Sequence, residues 1–558
     1  MIGVVAPLSA VPVVREFFEL FKTPWQMHSP GCRCDVLLCF DSEVPASEAR
    51  LVLVFGPQEQ PVDRTEGWTL GPVRDGLVLS RGSDRLPLYS ACRTFRDAES
   101  STLVEESSTE IAALEKRCGE QKVVRIGYDL TAEVRYLLTQ GQPRTFARIP
   151  TLDLHIAFVR ELIVAHGVPL TEIPPVPEGY NFIACLTHDV DHPRVRNHCC
   201  DHTMFGFVVR ALFGSVFDWM RGRFSFQQVA GCYRAAFSLP FVYGGWAPDF
   251  WNLFVRYREI EKEARSTFFV IPKRGVAGRD AKGRQPAKRA GKYSLPDIQD
   301  DLRELVSAGG EVAVHGIDAW CDAASGRDEL ARVHEFASGA ETGVRMHWLF
   351  FDEGSPARLE QAGYSYDSTV GYADTVGYRA GTVQVFKPLN AERLLELPMH
   401  AMDTAMYYLS YMSLSPSEVK KELNGLVEKA VRLGGVLTIN WHDRSLGPER
   451  FWDGPYLDLL EELRRRGAWM PTAGEAVAWF RNRRGVSMEG REFSEDLLQG
   501  ELAAESGAES LPGLRLRTYP GLSRDRQDRQ QTPAFTDRPF RSSTRASRKV
   551  QEDVPAAA

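Results

Sequence analysis

Residues 182–193 read FIACLTHDVDHP: an apolar run with the length and character of a buried strand, ending in Asp189 and Asp191 with His188 and His192 on either side. The two aspartates are two positions apart, so in an extended segment both point to the same side. Carboxylates held that close repel unless a cation lies between or beside them. A core strand that delivers this much ionisable chemistry to one place sets the frame for reading the rest of the chain.

Downstream the chain repeats one grammar of helix, loop and strand. PDFWNLFVRYREIEKEA leads into STFFVIP, PDIQDDLRELVSAGG into EVAVHG, and SPSEVKKELNGLVEKAVRLGG into VLTINWHD. In the last unit Ser415 and Glu418 have capping-box spacing, Pro416 stands at the first helical position and Gly434 follows the final turn. Strands alternating with helices predict a parallel sheet or barrel. GVRMHWLF, GYSYDSTV and LLELPM are further strand candidates. A total of about seven suits a closed or nearly closed (β/α) barrel, which occupies residues 179–483.

Upstream, residues 1–140 alternate short apolar runs (DVLLCF, ARLVLVFG, DGLVLS) with Pro- and Gly-containing turns, which predicts a smaller α/β domain. TLDLHIAFVRELIVAHG has apolar residues at helical spacing and ends in Gly167; TEIPPVPEGY after it stays extended. Residues 141–178 are therefore a connecting helix and Pro-rich linker. From residue 484 to 558 the chain is polar, mixed in charge and poor in apolar residues, and a disordered tail is expected there.

The 558 residues, 43% of them hydrophobic, are enough for substantial cores. A net charge of −7, from 67 basic and 74 acidic residues, speaks against a nucleic-acid partner. Ten cysteines fall without a framework spacing, and CRC (Cys32, Cys34) and HCCDH (residues 198–202) match no standard zinc pattern, so reduced thiols in a cytoplasmic protein are expected. The first residues lack a basic start and a small-residue cleavage site, and no secretory leader is read there. The most apolar window, MFGFVVRALFGSVFDWM, is interrupted by Arg210 and Asp218, so no transmembrane segment is expected. It is read as a buried helix in preference to one lying on a membrane surface.

In parallel βα architectures functional groups gather at the C-terminal ends of strands, where the loops converge. Asp189 and Asp191 end the first strand, His315 the third, Arg345 and His347 the fourth, Asp367 the fifth and His442 the last long one. Asp191 with His315 makes a start for a divalent-metal site, since carboxylate and imidazole suit zinc and similar ions. Taken singly, each of these residues can instead cap a strand or accept backbone hydrogen bonds at a turn.

The segments LTHDVD, EVAVHGIDAW, GVRMHWL, GYSYDST and LTINWHD, in this order, resemble the five motifs of the polysaccharide deacetylase family, carbohydrate esterases that remove N-acetyl groups from amino sugars. The resemblance spans about residues 180–482 and implies a distorted (β/α) barrel and a metal-dependent hydrolase of non-peptide C–N bonds. It implies Asp189 as general base, Arg345 as the arginine that orients it, His442 as general acid, and Asp191 and His315 as metal ligands. The family's second ligand histidine, four residues after the first, is Ala319 here; Asp318 is the candidate replacement, with His347 and His188 behind it. Zinc is the expected ion, and an amino sugar or polysaccharide precursor the expected substrate. If no third ligand serves, the alternative is a carbohydrate-binding or scaffolding protein on the same fold.

Trp320, Trp348 and Trp441 lie within six residues of these positions. Flat aromatic faces suit sugar rings, and tryptophans also plug barrel ends; Trp348, Asp367 and Trp441 are taken as candidate substrate contacts. The insertion KRGVAGRDAKGRQPAKRAGK, with eight basic residues against one acid, is expected as a solvated flexible loop, although it leaves the strand end that would let it reach an anionic substrate.

Overall fold

The chain was analysed as a computed structural model, which describes residues 1–40, 44–96, 101–108, 110–337, 341–490, 511–521 and 534–540. The run that opened the sequence analysis is the strand Phe182–Val190, buried at every position. It sits mid-sheet, parallel to Thr267–Val270 on one side and to Val436–Asn440 on the other. Its side chains divide by parity. Ile183 and Cys185 join the cluster that fills the barrel, whereas Phe182, Ala184 and Leu186 join the cluster beneath the outer helices. A strand covered on both faces needs apolar residues at nearly every position, which is why the run reads as continuous.

From Thr267–Val270 the sheet continues in parallel through Glu311–Gly316, Gly343–Met346, Tyr366–Asp367 and Leu395–Glu396. On the other side Val436–Asn440 pairs with Ala401–Met402. The chain itself joins these two edges. Leu397 N–H donates to Asp367 O (2.7 Å) and Met399 N–H to Val370 O (2.9 Å), and one residue later His400 N–H donates to Thr438 O (3.0 Å). Residues 395–402 thus form one stave that changes neighbour halfway. Counted so, the ring has the seven staves expected, with the short strand Ala468–Trp469 added beside Phe182 and Ile183.

The helices form where the capping signals predict. Ser415 accepts from the Glu418 N–H and the Glu418 carboxylate accepts from the Ser415 N–H, opening Pro416–Leu433, which ends at Gly434 with φ +77°. Thr472 and Glu475 open Ala473–Gly485 in the same way. The connecting helix Thr151–Ala165 is pinned to the barrel by buried Asp153, whose carboxylate accepts from the Thr382 hydroxyl and the Val383 N–H, both at 2.8 Å. Residues 1–126 build one mixed sheet of eleven strands. Val36–Cys39, Leu51–Phe55 and Gln121–Ile126 run parallel at its centre, with antiparallel hairpins beyond.

Two expectations need correction here. The tail is not wholly without structure: Leu514–Tyr519 pairs antiparallel with Leu170–Glu172 of the linker and with Thr536–Phe540. Leu514, Leu516 and Tyr519 are buried there and the Trp479 indole N–H donates to Pro512 O (3.0 Å), so local alternation of apolar and polar residues outweighed the polar composition. The rest of that segment lies outside the described residues. The apolar window around Arg210 is helical over His202–Met220 with a π-turn at Arg210–Gly214, but it is not a buried helix: only 17% of it is covered. Among the described residues it is the one helix long and apolar enough, by length and composition, to cross a membrane.

Candidate active site and metal centre

Asp191 follows the first stave, His315 lies near the end of the third, and His347 begins the turn after the fourth. Because parallel strands present their C-terminal ends together, these residues converge although they are far apart in sequence. Asp191 Oδ1 is 3.4 Å from both His315 Nε2 and His347 Nε2. Among the described residues these three are the group whose donor atoms could share one ion, all lying within 4.8 Å of one another. The orientation of His315 is set by geometry: Nδ1 lies 2.9 Å from Arg345 O, and since a carbonyl only accepts, Nδ1 is the donor there and Nε2 is the atom turned toward Asp191. Burial holds His347 down to about 3, so it is neutral, the form in which imidazole ligates. Asp191 Oδ1, nearest to both imidazoles, is buried with no hydrogen-bond partner. A buried carboxylate oxygen without a donor is costly, and a divalent cation between the three donors would remove that cost.

Beside this group stand two titratable side chains, each clamped by a partner. Asp189 Oδ1 accepts from Arg345 Nη1 (2.9 Å), and Oδ2 accepts from Asn440 Nδ2 (2.7 Å) and lies 3.8 Å from His315 Nε2. Burial works to raise its carboxyl, but His315, Arg345 and His442 outweigh it and hold the group below the usual carboxylate range. Arg345 is itself fixed: Nη1 also donates to Thr187 Oγ1 (2.8 Å), Nη2 donates to Ser368 Oγ (2.9 Å), and the guanidinium stacks 4.3 Å from the Phe269 ring. On the other side His442 Nε2 lies 3.8 Å from Asp191 Oδ2, and its Nδ1 lies 2.5 Å from Asp403 Oδ1. Burial lowers this imidazole, yet Asp403, with Asp191 and Asp189 behind it, raises it to about 10, so it is protonated at neutral pH.

No family model matches the chain, and no curated protein matches it. Solved structures do. They include a Mycobacterium smegmatis protein assigned as a polysaccharide deacetylase, 18% identical over 59% of this chain and 100% of that one, with a TM-score of 0.34. They also include the Puue allantoinase, 14% identical over 56% of this chain and 95% of that one, TM-score 0.35. A third is PdaA of Bacillus subtilis, a family 4 carbohydrate esterase, 8% identical over 55% of this chain and 84% of that one, TM-score 0.26.

Three sequence expectations do not survive the geometry. Asp318 stands apart from the metal-capable group: its Oδ1 accepts the Arg279 N–H at 2.7 Å, and its own N–H donates to Glu329, which pins the turn away from His315. Nor does it cap the next helix, which begins at Ala323 with Asp322 as its cap. Trp441 is fully buried, its ring 4.9 Å from Tyr456 in the outer core, because strand alternation turns it to the helical side. Asp367 shares a separate cavity with Glu396 and Arg379, where burial raises its carboxyl to about 7. His188 also faces the helices, with Nδ1 2.7 Å from Trp441 O and Nε2 3.3 Å from Glu261. Trp320 is buried against Phe350.

Trp348 remains at the site. It lines a cavity of about 480 Å³ together with Asp189, Asp191, His315, His442, Tyr408 and Tyr411. Trp348 and Leu349 both have left-handed backbones, φ +67° and +53°, and such strain, on the order of 1–3 kcal/mol per residue, survives only where the surroundings impose it. Here the constraint comes from the basic insertion, which is not merely a solvated loop. Arg289 is buried over the Phe350 ring and donates to His347 O from Nε (3.2 Å) and Nη2 (3.0 Å), and to Ile317 O from Nη2 (2.7 Å). One guanidinium thereby ties the turn after the third stave to the turn that carries His347 and Trp348.

Sequence reading missed Asp403, Asn440 and Arg289. Asp403 stands four residues beyond LLELPM, directly after the short strand Ala401–Met402 that no sequence pattern marked. Its role as a positioning residue can be tested through hydrogen-bond direction. Asp403 Oδ2 accepts both the His442 N–H (2.8 Å) and the Ser445 hydroxyl, and Oδ1 accepts the Thr404 N–H (2.6 Å) beside His442 Nδ1, so in the Asp403→Asn variant the NH2 group meets a backbone donor whichever way the amide turns, and the negative charge behind His442 is gone. Two donors would then face each other, and the imidazolium would be lost. Asp403→Asn is expected to lower kcat by about 10²–10⁴-fold with KM and metal content little changed. Steady-state kinetics with elemental analysis checks this, and an unchanged kcat would remove Asp403 from the catalytic apparatus.

Proposed function

We propose that this chain is a metal-dependent hydrolase of non-peptide C–N bonds that removes the N-acetyl group from an amino sugar or a polysaccharide precursor. The observation that carries the reading is the placement of a clamped carboxylate, Asp189, and a clamped imidazolium, His442, beside the same three-donor group, Asp191, His315 and His347. Hydrolysis of an amide adds water across the C–N bond, giving acetate and a free amine. It needs a base for the incoming water and an acid for the departing nitrogen. A divalent ion held by Asp191, His315 and His347, zinc in our reading, supplies polarisation of the acyl oxygen and a more acidic water when bound.

The chain's own residues account for the rest. Asp189 accepts the water's proton on a carboxylate whose orientation Arg345 and Asn440 fix. His442 donates its Nε2 proton to the nitrogen, which otherwise would have to leave as an anion, and Asp403 holds the Nδ1 proton throughout. Trp348, Tyr408 and Tyr411 offer aromatic faces around the opening, suited to the apolar faces of sugar rings. Cys92, Cys185 and Cys232 are buried free thiols and Cys199 and Cys200 exposed ones, a pattern that fits a reducing compartment such as the cytoplasm.

The direct test is acetate release from N-acetylglucosamine and its oligomers by protein loaded with zinc and by the same protein after chelation. Release that disappears on chelation and returns with the ion is the expected result. Absence of release from every N-acetylated sugar, or release indifferent to chelation, would sink the reading.

A further inference from the structure

The helical pair that follows the first stave leaves apolar surface uncovered. Phe205, Val209 and Phe213 recur every fourth residue along His202–Met220 and are 57%, 56% and 72% exposed. On the next helix, Phe226–Tyr243, Phe237 and Phe241 are 69% and 54% exposed, and Trp246 just beyond it is 82% exposed. Ten of the 21 exposed large apolar side chains among the described residues fall between residues 205 and 246. Exposed clusters on this scale mark interaction surfaces.

Charge indicates what covers this face. The whole chain carries −7, yet residues 202–246 hold Arg210, Arg221, Arg223 and Arg234 against Asp218; Arg210 pairs with Glu449 and Arg223 lies 3.9 Å from Asp218, which leaves Arg221 and Arg234 as a local excess of two positive charges. A second copy would set that excess against itself, whereas anionic headgroups complement it. Exposed aromatic and aliphatic side chains with arginines beside them are the composition of a helix lying in a bilayer interface. The pair is also moored to the barrel: Phe207 and Ala211 are buried in one cluster with Trp251, and Arg210 pairs with Glu449 at 2.8 Å. Lying flat keeps those contacts, and spanning would break them.

The face adjoins the site region. A second cavity of about 650 Å³ is lined by Phe217, Arg223 and Phe451, and it shares Tyr408, Arg444 and Arg450 with the cavity that holds Asp191. We propose that the helical pair docks the protein on the surface of a bilayer containing anionic phospholipid, with the aromatic side chains in the interface and the arginines on the phosphates. This inference does not depend on the hydrolase reading, because docking is measured without turnover.

The test is flotation of the full chain with vesicles of phosphatidylcholine alone and with about 30 mol% phosphatidylglycerol. The wild type is expected to float with the anionic vesicles, binding them at least about tenfold more tightly than neutral ones. The triple variant F213E/F237E/F241E should lose at least about tenfold of that binding, and R221E/R234E should lose the preference for anionic lipid. Thermal midpoint and metal content, unchanged in both, show that the fold is intact. Failure of the wild type to float, or equal binding by the triple variant, would overturn the proposal. So would sedimentation equilibrium showing a dimer that the same substitutions disperse, because a second copy would then occupy the face.

Discussion

His347→Ala is expected to abolish binding of the proposed zinc ion, and Asp318→Ala is not. Both residues are candidates for the place left by Ala319, and the geometry separates them. His347 Nε2 and His315 Nε2 approach the same unpartnered oxygen of Asp191 at 3.4 Å, while the Asp318 carboxylate is engaged by a backbone N–H of the basic insertion. Removing one of three protein ligands should weaken zinc binding at least about 100-fold, since loss of even an outer-shell partner costs roughly 10–100-fold. Asp191→Ala and His315→Ala should do the same. Asp318→Ala gives up one hydrogen bond at a turn, a stability change of about 1 kcal/mol with affinity intact. Zinc titration and elemental analysis of the variants decide the matter. A stoichiometric ion retained by His347→Ala, or lost by Asp318→Ala, would reverse the assignment.

Asp189→Asn and His442→Ala are expected to keep the ion and lose turnover by about 10²–10⁴-fold, because both act on protons in the reaction proposed above. For Asp189 a second effect must be separated from catalysis. Arg345 is fully buried and Asp189 is its ion-pair partner, so an amide at 189 leaves a buried cation uncompensated, at a cost of roughly 3 kcal/mol or more. The double variant D189N/R345M removes that charge. It should recover much of the stability lost in D189N and none of the activity. Unfolding curves and acetate release on the same three proteins supply both readings. Near-normal turnover in D189N would leave the site without its base.

Much of this was legible from local pattern. The continuous apolar run at 182–190, the capping box at Ser415 and Glu418, and the recurrence of helix and strand all report spacing along the chain, which is what periodicity reads. Asp189, Asp191, His315, Arg345 and His442 were legible for a related reason: in a parallel sheet, position at a strand's end translates into position in space. The failures share the opposite property. Whether His347 or Asp318 faces Asp191 depends on the turn after the third stave, and that turn is held by Glu329 and Arg279, which no short window contains. Trp441 follows the last long stave with the wrong parity to face inward. Arg289 stood in a segment whose basic composition suggested solvent, and Leu514 and Leu516 in one whose polarity suggested disorder. Composition averages over residues, whereas a single buried anchor is decided one side chain at a time.

The stave that changes neighbour ties the barrel's closure to its chemistry. The three metal-capable donors come from the first, third and fourth staves and the turns that follow them, which are joined through the second by an unbroken ladder on one side of the ring. Asp403, by contrast, is the first residue past residues 395–402, and it meets His442 only because that segment has crossed from Asp367 to Thr438. A ring unlatched along this seam would still assemble its cation ligands and its base, yet its imidazole would have no carboxylate behind it. Such a molecule would be loaded but inert, and completing the circle would arm it.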